Sequence, residues 1–533
     1  MGIEFKQLNP FELKSVIIKL LSSINSLADV QKCLNEIDLL DAQEDKAVIS
    51  KLLFKELTNS DTQKIPVICF LLEHFLSKDM LISGLWEILK NKSLKTDIRV
   101  MVLNMLRELD ADWSYEDCSE YIEDADEILD ENTKQLLNSA VINPEVQIDF
   151  MDFLFSIKTE DKITLLNSFE NDFEPDAFAN ILIPVFVSNP SSPEGKEALK
   201  LLGTAKSQLG LHVLEKMTKL TTGELNQCVR KSLATLKMSG IREDNTEEFY
   251  KKILSNTKPD KFYITYPDAH GDCAMICTRI TEENKIRFIS VVINLFTGIK
   301  DCFGFFEISQ FECDKILERF LKNEKVVSIP PASFVNILYN AEITTVKKYQ
   351  NEWELPYEYV CWKNLLVDIE SDDTIINEIV KEKIKAVPVS SDIVSKLEEM
   401  KVSAHWFLDS EYSSAFSQMI KELKSQNDIE KILNNNFDNI FDDAEKQEWV
   451  DKLVFCSYIK YVLGKNDEAC EVYSLALDKE KFDLFLREML KRSIYEYFML
   501  IKYNKDMNKE MFTDEDISFK INYIEKNWVK SDV

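Results

Sequence analysis

The chain has 533 residues, of which 45% are hydrophobic and 11% aromatic, so it is long enough for two to four structural units and too apolar for wholesale disorder. Only 11 glycines and 13 prolines are present, and this shortage of turn-forming residues favours helices. The formal net charge of −29 repels phosphate backbones and predicts that the protein has no nucleic-acid partner.

Cysteine usage and the first residues of the sequence bear on the compartment. The 11 cysteines are scattered and odd in number, unlike the closely spaced set of a secreted disulfide scaffold. The first 25 residues carry charged and polar side chains through their apolar positions, which is not typical of a signal peptide or a membrane span. We therefore expect a cytoplasmic protein with no membrane partner.

From about Pro10 to about Asn256 the apolar residues recur every three or four positions, which predicts amphipathic helices separated by short polar breaks. The earlier segments with this spacing are Phe11–Leu21, Ala47–Leu57, Ile65–Leu76, Leu81–Leu89, Ile98–Leu109 and Cys118–Leu129. The later ones are Pro144–Ile157, Thr159–Phe169, Asp176–Val187, Ser192–Ala205, Gln208–Lys219 and Thr222–Leu236. Short connections make consecutive helices antiparallel neighbours.

The stretch Ser188–Met217 carries the clearest repeat unit. Small and apolar residues end its first helix, and further apolar residues return along its second helix. The two sets are Ala198, Leu199, Leu201, Leu202 and Gly203, and then Leu211, Val213 and Leu214. The unit resembles a HEAT-type repeat, which implies that residues 1–256 form an α-solenoid of HEAT-like helical hairpins. An irregular helical bundle is the alternative.

The segment Glu108–Lys134 is almost purely acidic. Asp124, Asp126 and Glu127 do not form a calcium-binding loop, because the glycine that such a loop needs at its sixth position is missing. We interpret the segment as a solvated acidic surface, with a docking surface for a basic partner as the second interpretation.

The period of the sequence changes between Lys261 and Ile308. Segments rich in Ile, Val, Phe, Thr and Cys alternate with polar breaks, and this pattern predicts strands. The predicted strands are Phe262–Tyr266, Cys273–Ile280, Ile286–Leu295, Cys302–Ile308 and Lys325–Ile329, and the predicted helices are Gln310–Leu321, Ala332–Tyr349 and Tyr357–Ile369. Residues 257–370 are expected to form a small α+β domain with its helices on one face of the sheet.

Two loops of this domain, Pro267–Asp272 and Thr297–Asp301, hold the best candidates for a binding site. Metal binding or nucleophilic catalysis needs polar groups to converge, and neighbouring loops of one sheet can bring them together. The candidate binding residues are Asp268, His270, Asp272, Asp301 and Cys302. Cys273 and Cys277 are four positions apart in one predicted strand, so they share a core-facing side about 13 Å apart and do not bind one zinc ion.

No motif of nucleotide, zinc-protease or serine-hydrolase chemistry occurs in the sequence. We therefore assign no catalytic residue, no metal ligand and no cofactor.

After Pro388 the pattern is helical again, and residues 371–533 form the third predicted region. Ala469, Tyr473 and Ala476 have the small–large–small spacing of the second helix of a tetratricopeptide repeat, with Gly464 in the turn before them. Trp449–Leu477 therefore resembles one such unit. Its first helix departs from that pattern, since Cys and Ser stand where the repeat has Leu and Gly.

The central sequences DAHGDCAMICTRI and INLFTGIKDCFGF also resemble a domain found beside HEAT repeats in bacterial proteins of unassigned function, which implies no mechanism. Solenoids expose long concave surfaces, and an acidic one selects basic protein segments. The sequence therefore predicts a non-enzymatic protein–protein interaction scaffold whose partners are other proteins. An enzyme, or a metal or redox sensor, centred on the α+β domain is the alternative, while RNA binding is disfavoured by the charge.

Overall fold

The computed structural model describes residues 7–23, 33–43, 46–59, 65–91, 137–241, 247–254, 256–322, 326–349, 354–371, 373–403, 406–409, 411–423, 429–504 and 512–526, and a few positions between 94 and 109. The acidic segment Glu108–Lys134 lies outside the described residues except for Leu109. The chain forms two compact units, Met1–Asn138 and Ser139–Val533. The predicted boundaries after residues 256 and 370 both fall inside the second unit. Because a division into two units is coarser than one into three, the three predicted regions stay a prediction.

The first unit is built from helices whose apolar faces meet in one core. They are α1 (Pro10–Ser23), α2 (Leu34–Asp41), α3 (Lys46–Asn59), α4 (Ile65–Phe75) and α5 (Lys78–Leu89). The side-chain Oδ1 of Asn9 accepts the backbone N–H groups of Phe11 and Glu12, both at 3.0 Å, and so caps the start of α1. Ile17 and Leu53 are fully buried in the common core.

Helical hairpins open the described part of the second unit. They are α6 (Pro144–Ser156) with α7 (Thr159–Ser168), α8 (Pro175–Ser188) with α9 (Pro193–Thr204), and α10 (Gln208–Leu220) with α11 (Gly223–Met238); a 3-10 turn, Phe169–Asn171, follows α7, and α12 (Glu247–Ile253) leads to the sheet. The first helices of successive hairpins contact one another, α6 with α8 and α8 with α10. The second helices do the same, α7 with α9 and α9 with α11.

Glycine allows the close approach of α9 and α11. A Cβ atom on Gly203 would lie 3.0 Å from the Cα atom of Ser232, which is closer than side-chain atoms normally come to a backbone. Asp176, near the start of α8, accepts the Ser207 hydroxyl at 2.6 Å and the Leu209 N–H at 3.1 Å, so it supports the start of α10. The sequence grouped Gly203 with the helix that follows it, α10, whereas the close approach that favours glycine is to α11.

The central region forms one antiparallel sheet of five strands. They are β1 (Thr257–Thr265), β2 (Asp272–Thr281), β3 (Lys285–Asn294), β4 (Gly298–Ser309) and β5 (Val326–Ser328), in the order β4-β3-β2-β1-β5. β2 and β3 form the predicted hairpin, in which Cys277 is opposite Ile289 and Thr278 is opposite Phe288. Asn284 in its turn has φ +59°, a conformation that asparagine tolerates better than most residues.

Helices cover both faces of this sheet. They are α13 (Gln310–Leu321), α14 (Pro331–Tyr349) and α15 (Tyr357–Trp362), and a 3-10 turn, Lys363–Leu366, follows. α13 packs on the face that carries Phe288, whereas Phe334 of α14 contacts Phe262 on the other face, with ring centroids 5.2 Å apart. The expectation of helices on one face is wrong, because Cys277 and Phe288 lie on opposite faces and both are fully buried.

Helices follow the sheet region to the end of the described residues. They are α16 (Ile376–Lys383), α17 (Ile393–Glu399), α18 (Ser414–Glu422), α19 (Ile429–Ile440), α20 (Asp443–Val462), α21 (Asn466–Leu477), α22 (Lys479–Tyr503) and α23 (Asp514–Ile524). α20 and α21 form a hairpin with Gly464 at φ +74° in its turn. The protein is mainly helical with one small antiparallel sheet, as predicted. Within the described part of the chain, no helix has both the length and the apolar character needed to cross a membrane.

Candidate functional site

The turn that joins β1 to β2 (the β1–β2 turn) is shaped by one carboxylate. Asp268 Oδ1 accepts the backbone N–H groups of His270 and Asp272, both at 2.9 Å. Gly271 has φ +86°, and a Cβ atom there would lie 2.7 Å from the ring of Phe296. Asp268 therefore acts as a structural acceptor, and glycine is required at position 271.

Asp272 joins the two loops that the sequence singled out. Its Oδ1 accepts Asn294 Nδ2 at 2.6 Å, and its Oδ2 accepts Lys300 Nζ at 2.7 Å. Asn294 Nδ2 also donates to the carbonyl oxygen of His270 at 2.8 Å, and Asn294 Oδ1 accepts the Phe296 N–H at 2.9 Å. The two loops do converge, through Asn294 and Lys300, and neither of these residues was a candidate.

Two side chains of the C-terminal region, Trp406 from the segment between α17 and α18 and Lys452 from α20, close over the β1–β2 turn. Trp406 Nε1 donates to the carbonyl oxygen of Pro267 at 2.7 Å. Lys452 Nζ donates to the carbonyl oxygen of Ala269 at 2.5 Å. Because a buried carbonyl group needs a donor, these bonds fasten the turn to the C-terminal region. The turn is a joint between two parts of the second unit.

His270 lies at the exposed side of this joint. Its Nε2 lies 3.2 Å from Asp409 Oδ2, and its ring centroid lies 5.8 Å from that of Tyr412. His270 and Asp409 are both exposed, and such pairs contribute little to stability. The described residues contain no group of three or more His, Cys, Asp or Glu side chains placed to hold a metal ion.

Lys452 is fully buried. Its Nζ lies 3.8 Å from the ring centroid of Trp449 and 5.4 Å from that of Phe296, so the ammonium group is placed against two aromatic rings. Burial lowers the pKa of Lys452 to about 8, and nearby carboxylates, chiefly that of Glu448, limit the shift. Lys452 donates a hydrogen bond to the Ala269 carbonyl group, but its ammonium group must give up its contact with water to do so.

Asp301 and Cys302 do not join the other candidates at one point. They are consecutive in β4, so their side chains lie on opposite faces of the strand. Asp301 is exposed, and its Oδ1 accepts the Cys302 N–H at 2.8 Å. Cys302 is 2% exposed, and burial raises its pKa well above the ordinary value, which keeps the thiol protonated. The five candidates are therefore split between the β1–β2 turn and β4.

The cysteines of β2 are part of the core. Cys273 and Cys277 are buried on the side of the strand that carries Met275, as their spacing predicted. Burial raises the pKa of Cys277 to about 12. Neither thiol is placed for metal binding or nucleophilic attack.

An acidic–aromatic patch, defined here as Asp152, Asp301, Phe303, Phe305 and Glu358, lies along β4 and the neighbouring helices α6 and α15. Phe303 and Phe305 are 48% and 36% exposed, with ring centroids 6.2 Å apart. Burial raises the pKa of Glu358; hydrogen bonds from the backbone and from the Tyr357 hydroxyl partly oppose this shift, and the negative charges of Asp152 and Asp301 add to it. The Tyr357 hydroxyl also donates to Asp152 Oδ1. In the described part of the chain, none of the patch's carboxylates forms an ion pair with a lysine or an arginine.

Sequence reasoning missed Trp406 and Lys452, which lie 139 and 183 positions from their partners in the turn. Local periodicity carries no information about a hydrogen bond between regions so far apart. One signal was available for Lys452: it follows Trp449 by three positions and precedes Cys456 by four, which places it on the apolar stripe of α20.

Comparison with models of known protein families, with curated proteins and with solved structures finds no match to this chain.

Proposed function

We propose that this chain is a non-enzymatic protein–protein interaction scaffold of the cytoplasm that binds basic segments of other proteins, with neither nucleic acid nor a membrane as its partner. No cofactor is part of the proposal. The ordered contacts of α6 with α8 and of α8 with α10, and likewise of α7 with α9 and of α9 with α11, support a HEAT-like solenoid, because repeat arrays contact chiefly their neighbours in sequence.

The acidic–aromatic patch carries this proposal. Three carboxylates without a cationic partner repel one another, and a lysine or arginine placed among them would remove that repulsion. The exposed rings of Phe303 and Phe305 lie on the same face of β4 as Asp301, so they offer an apolar or aromatic contact to a basic segment bound at Asp301. The acidic excess continues next to the patch, with eight acidic and two basic residues between Pro144 and Glu174.

The candidate residues of the central domain favour the scaffold over the enzyme or redox sensor. Asp268 and Asp272 are engaged as acceptors in the β1–β2 turn. The thiol of Cys302 is buried and its pKa is raised, whereas a reactive cysteine needs an accessible thiolate.

The proposal is tested with a fluorescently labelled peptide that alternates lysine with leucine, and with a control peptide in which glutamate replaces lysine. We expect the full chain to bind the basic peptide, measured by fluorescence anisotropy, and to lose most of the affinity between about 0.05 M and about 1 M salt. Asp301→Asn combined with Glu358→Gln should weaken binding about tenfold, since two contacts of the cation are lost. Phe303→Ser should weaken it as well.

Glu411→Gln combined with Glu480→Gln is the matched control, because both glutamates are exposed and lie outside the patch. This variant removes the same net charge and should bind as the unmodified chain does. Equal binding of the two peptides, or equal losses in both double variants, would show that the patch does not recognise basic segments.

A further inference from the structure

A cavity of about 420 Å³ lies where the sheet meets the C-terminal helices. Its walls come from α14, α16 and α20 and from the turn between β3 and β4. This volume is within the range of small-molecule sites in proteins. The cavity is separate from the acidic–aromatic patch, with which it shares no residue.

The apolar part of the lining comes from three elements. Ile293 lies near the end of β3, Ile337 lies in α14 and Phe455 lies in α20, and all three line the cavity. Ile293 and Ile337 are each 1% exposed and Phe455 is 5% exposed, so these side chains form fixed walls. Such walls fit an aliphatic or aromatic group of a ligand.

Three charged side chains line the same cavity: Lys347, Asp451 and Glu378, the last of which is exposed on α16. Lys347 is exposed on α14 and has no ion-pair partner within the described residues. Asp451 is half-buried on α20 and accepts Gln447 Nε2 at 3.0 Å. No ion pair within 4.0 Å joins Lys347 to Asp451 in the described structure, so the cavity separates the two charges.

The raised pKa of Asp451 is consistent with a carboxylate that lacks a cationic partner. Burial raises its pKa, and the Gln447 hydrogen bond and the charge of Lys381 only partly oppose this shift. A cationic group in the cavity would supply the missing compensation, since a half-buried carboxylate with one neutral donor lacks the partners that it has in water.

The other polar groups of the lining are mostly satisfied by the protein. Asn340 Nδ2 donates to the carbonyl oxygens of Asn336 and Thr374, and Asn340 Oδ1 accepts the Ile376 N–H. The Thr344 hydroxyl donates to the carbonyl oxygen of Asn340 at 2.9 Å. Selectivity therefore depends on the charged residues, of which Lys347 is the one cation, Asp451 is the half-buried acid and Glu378 is an exposed acid at the cavity wall.

We propose that this cavity binds a small zwitterion with an apolar side chain, of the class of apolar α-amino acids, whose ammonium group contacts Asp451 and whose carboxylate contacts Lys347. The apolar side chain lies against Ile293, Ile337 and Phe455. This site is independent of the scaffold function proposed above, because its residues lie outside the patch.

Isothermal titration calorimetry of the full chain with L-leucine, L-methionine and L-phenylalanine tests the proposal. We expect at least one of the three to bind. Its N-acetyl derivative, which lacks the ammonium group, and its amide, which lacks the carboxylate, should each bind at least about tenfold more weakly, because each loses one charge-assisted contact. Glycine, which lacks the apolar side chain, should bind more weakly too.

Asp451→Asn and Lys347→Gln should each weaken binding of the same amino acid about tenfold, whereas Lys479→Gln, at an exposed position of α22 outside the cavity, should leave it unchanged. The derivatives are tested on the unmodified chain, so the result does not depend on the folding of any variant. The proposal is overturned if none of the three amino acids binds, or if the derivatives bind as tightly as the parent amino acid.

Discussion

Lys452 is the residue whose ionisation we expect to see in the pH dependence of stability. Its pKa is about 8 in the folded chain, against about 10.4 for a lysine in an unfolded chain. Between these values the unfolded chain binds the proton and the folded chain does not, so the free energy of unfolding rises with pH, by roughly 3 kcal/mol in total. This contribution is lost as the pH falls to about 8.

Lys452→Met should remove that rise, because methionine keeps an unbranched apolar side chain but has no titrating group. Urea unfolding from about pH 7 to about pH 10, followed by tryptophan fluorescence, gives the difference in unfolding free energy between the unmodified chain and the variant at each pH. Lys479→Met is the matched control, since Lys479 is exposed. A difference that stays constant over this pH range for Lys452→Met would contradict the prediction.

At the scale of elements, the crossing of α9 and α11 depends on Gly203. A Cβ atom there would meet the backbone of Ser232 at 3.0 Å, whereas a Cβ atom on Gly210 in α10 would meet its nearest neighbour, Ser207 Cβ, at 3.4 Å. We therefore expect Gly203→Ala to destabilise the chain by about 1 to 3 kcal/mol, because the two helices must move apart. Gly210→Ala should be neutral or stabilise by up to about 1 kcal/mol, since alanine favours helix. Equal thermal midpoints of the two variants would show that α9 and α11 do not cross so closely.

The elements that the sequence predicted well are those whose signal is local. The strands and the β2–β3 hairpin follow from β-branched and aromatic segments that are bounded by short polar breaks, and both signals are local in the sequence. The helix arrangement on the sheet was predicted wrongly, because a strand buried on both faces reads as a continuous apolar run and does not say which helix covers which face. Only the structure shows that α13 covers the sheet face that carries Phe288 and that α14 covers the face that carries Cys277.

The candidate site was predicted only in part, because local sequence signals place neighbouring loops but not residues that come from distant regions of the chain. The convergence of the two loops follows from adjacent strands, and Asp272 and Lys300 do meet at 2.7 Å. The groups that close the β1–β2 turn come from Trp406 and Lys452, which no pattern in the central sequence could indicate. The sequence could have predicted that Asp301 and Cys302 lie on opposite faces, because they are consecutive residues of a predicted strand and successive side chains alternate.

At the scale of the whole molecule, the C-terminal helices and the sheet region depend on each other. Trp406 and Lys452 supply the donors for two carbonyl groups of the β1–β2 turn, and the ring of Tyr266, which is 1% exposed, has Lys460 Nζ 5.4 Å from its centroid. Asn336 of α14 also donates to the hydroxyl of Tyr458 at 3.2 Å. These contacts join residues before and after the predicted boundary at residue 370. The boundary can therefore be tested with fragments of the chain.

We expect residues 139–533 to fold by themselves and residues 139–370 to lack a stable sheet region. In the shorter fragment the carbonyl groups of Pro267 and Ala269 lose their donors, which costs about 1 to 3 kcal/mol for each group that stays buried, and Tyr266 becomes exposed. Near-ultraviolet circular dichroism during heating should show a cooperative transition for 139–533 and none for 139–370. Trp406→Phe in the full chain isolates one of these bonds and should lower the unfolding free energy by about 1 to 3 kcal/mol, since the ring still packs while the donor is lost. If 139–370 instead melts cooperatively at the temperature found for 139–533, the central region is an independent domain, and its contacts with the C-terminal helices are not needed for folding.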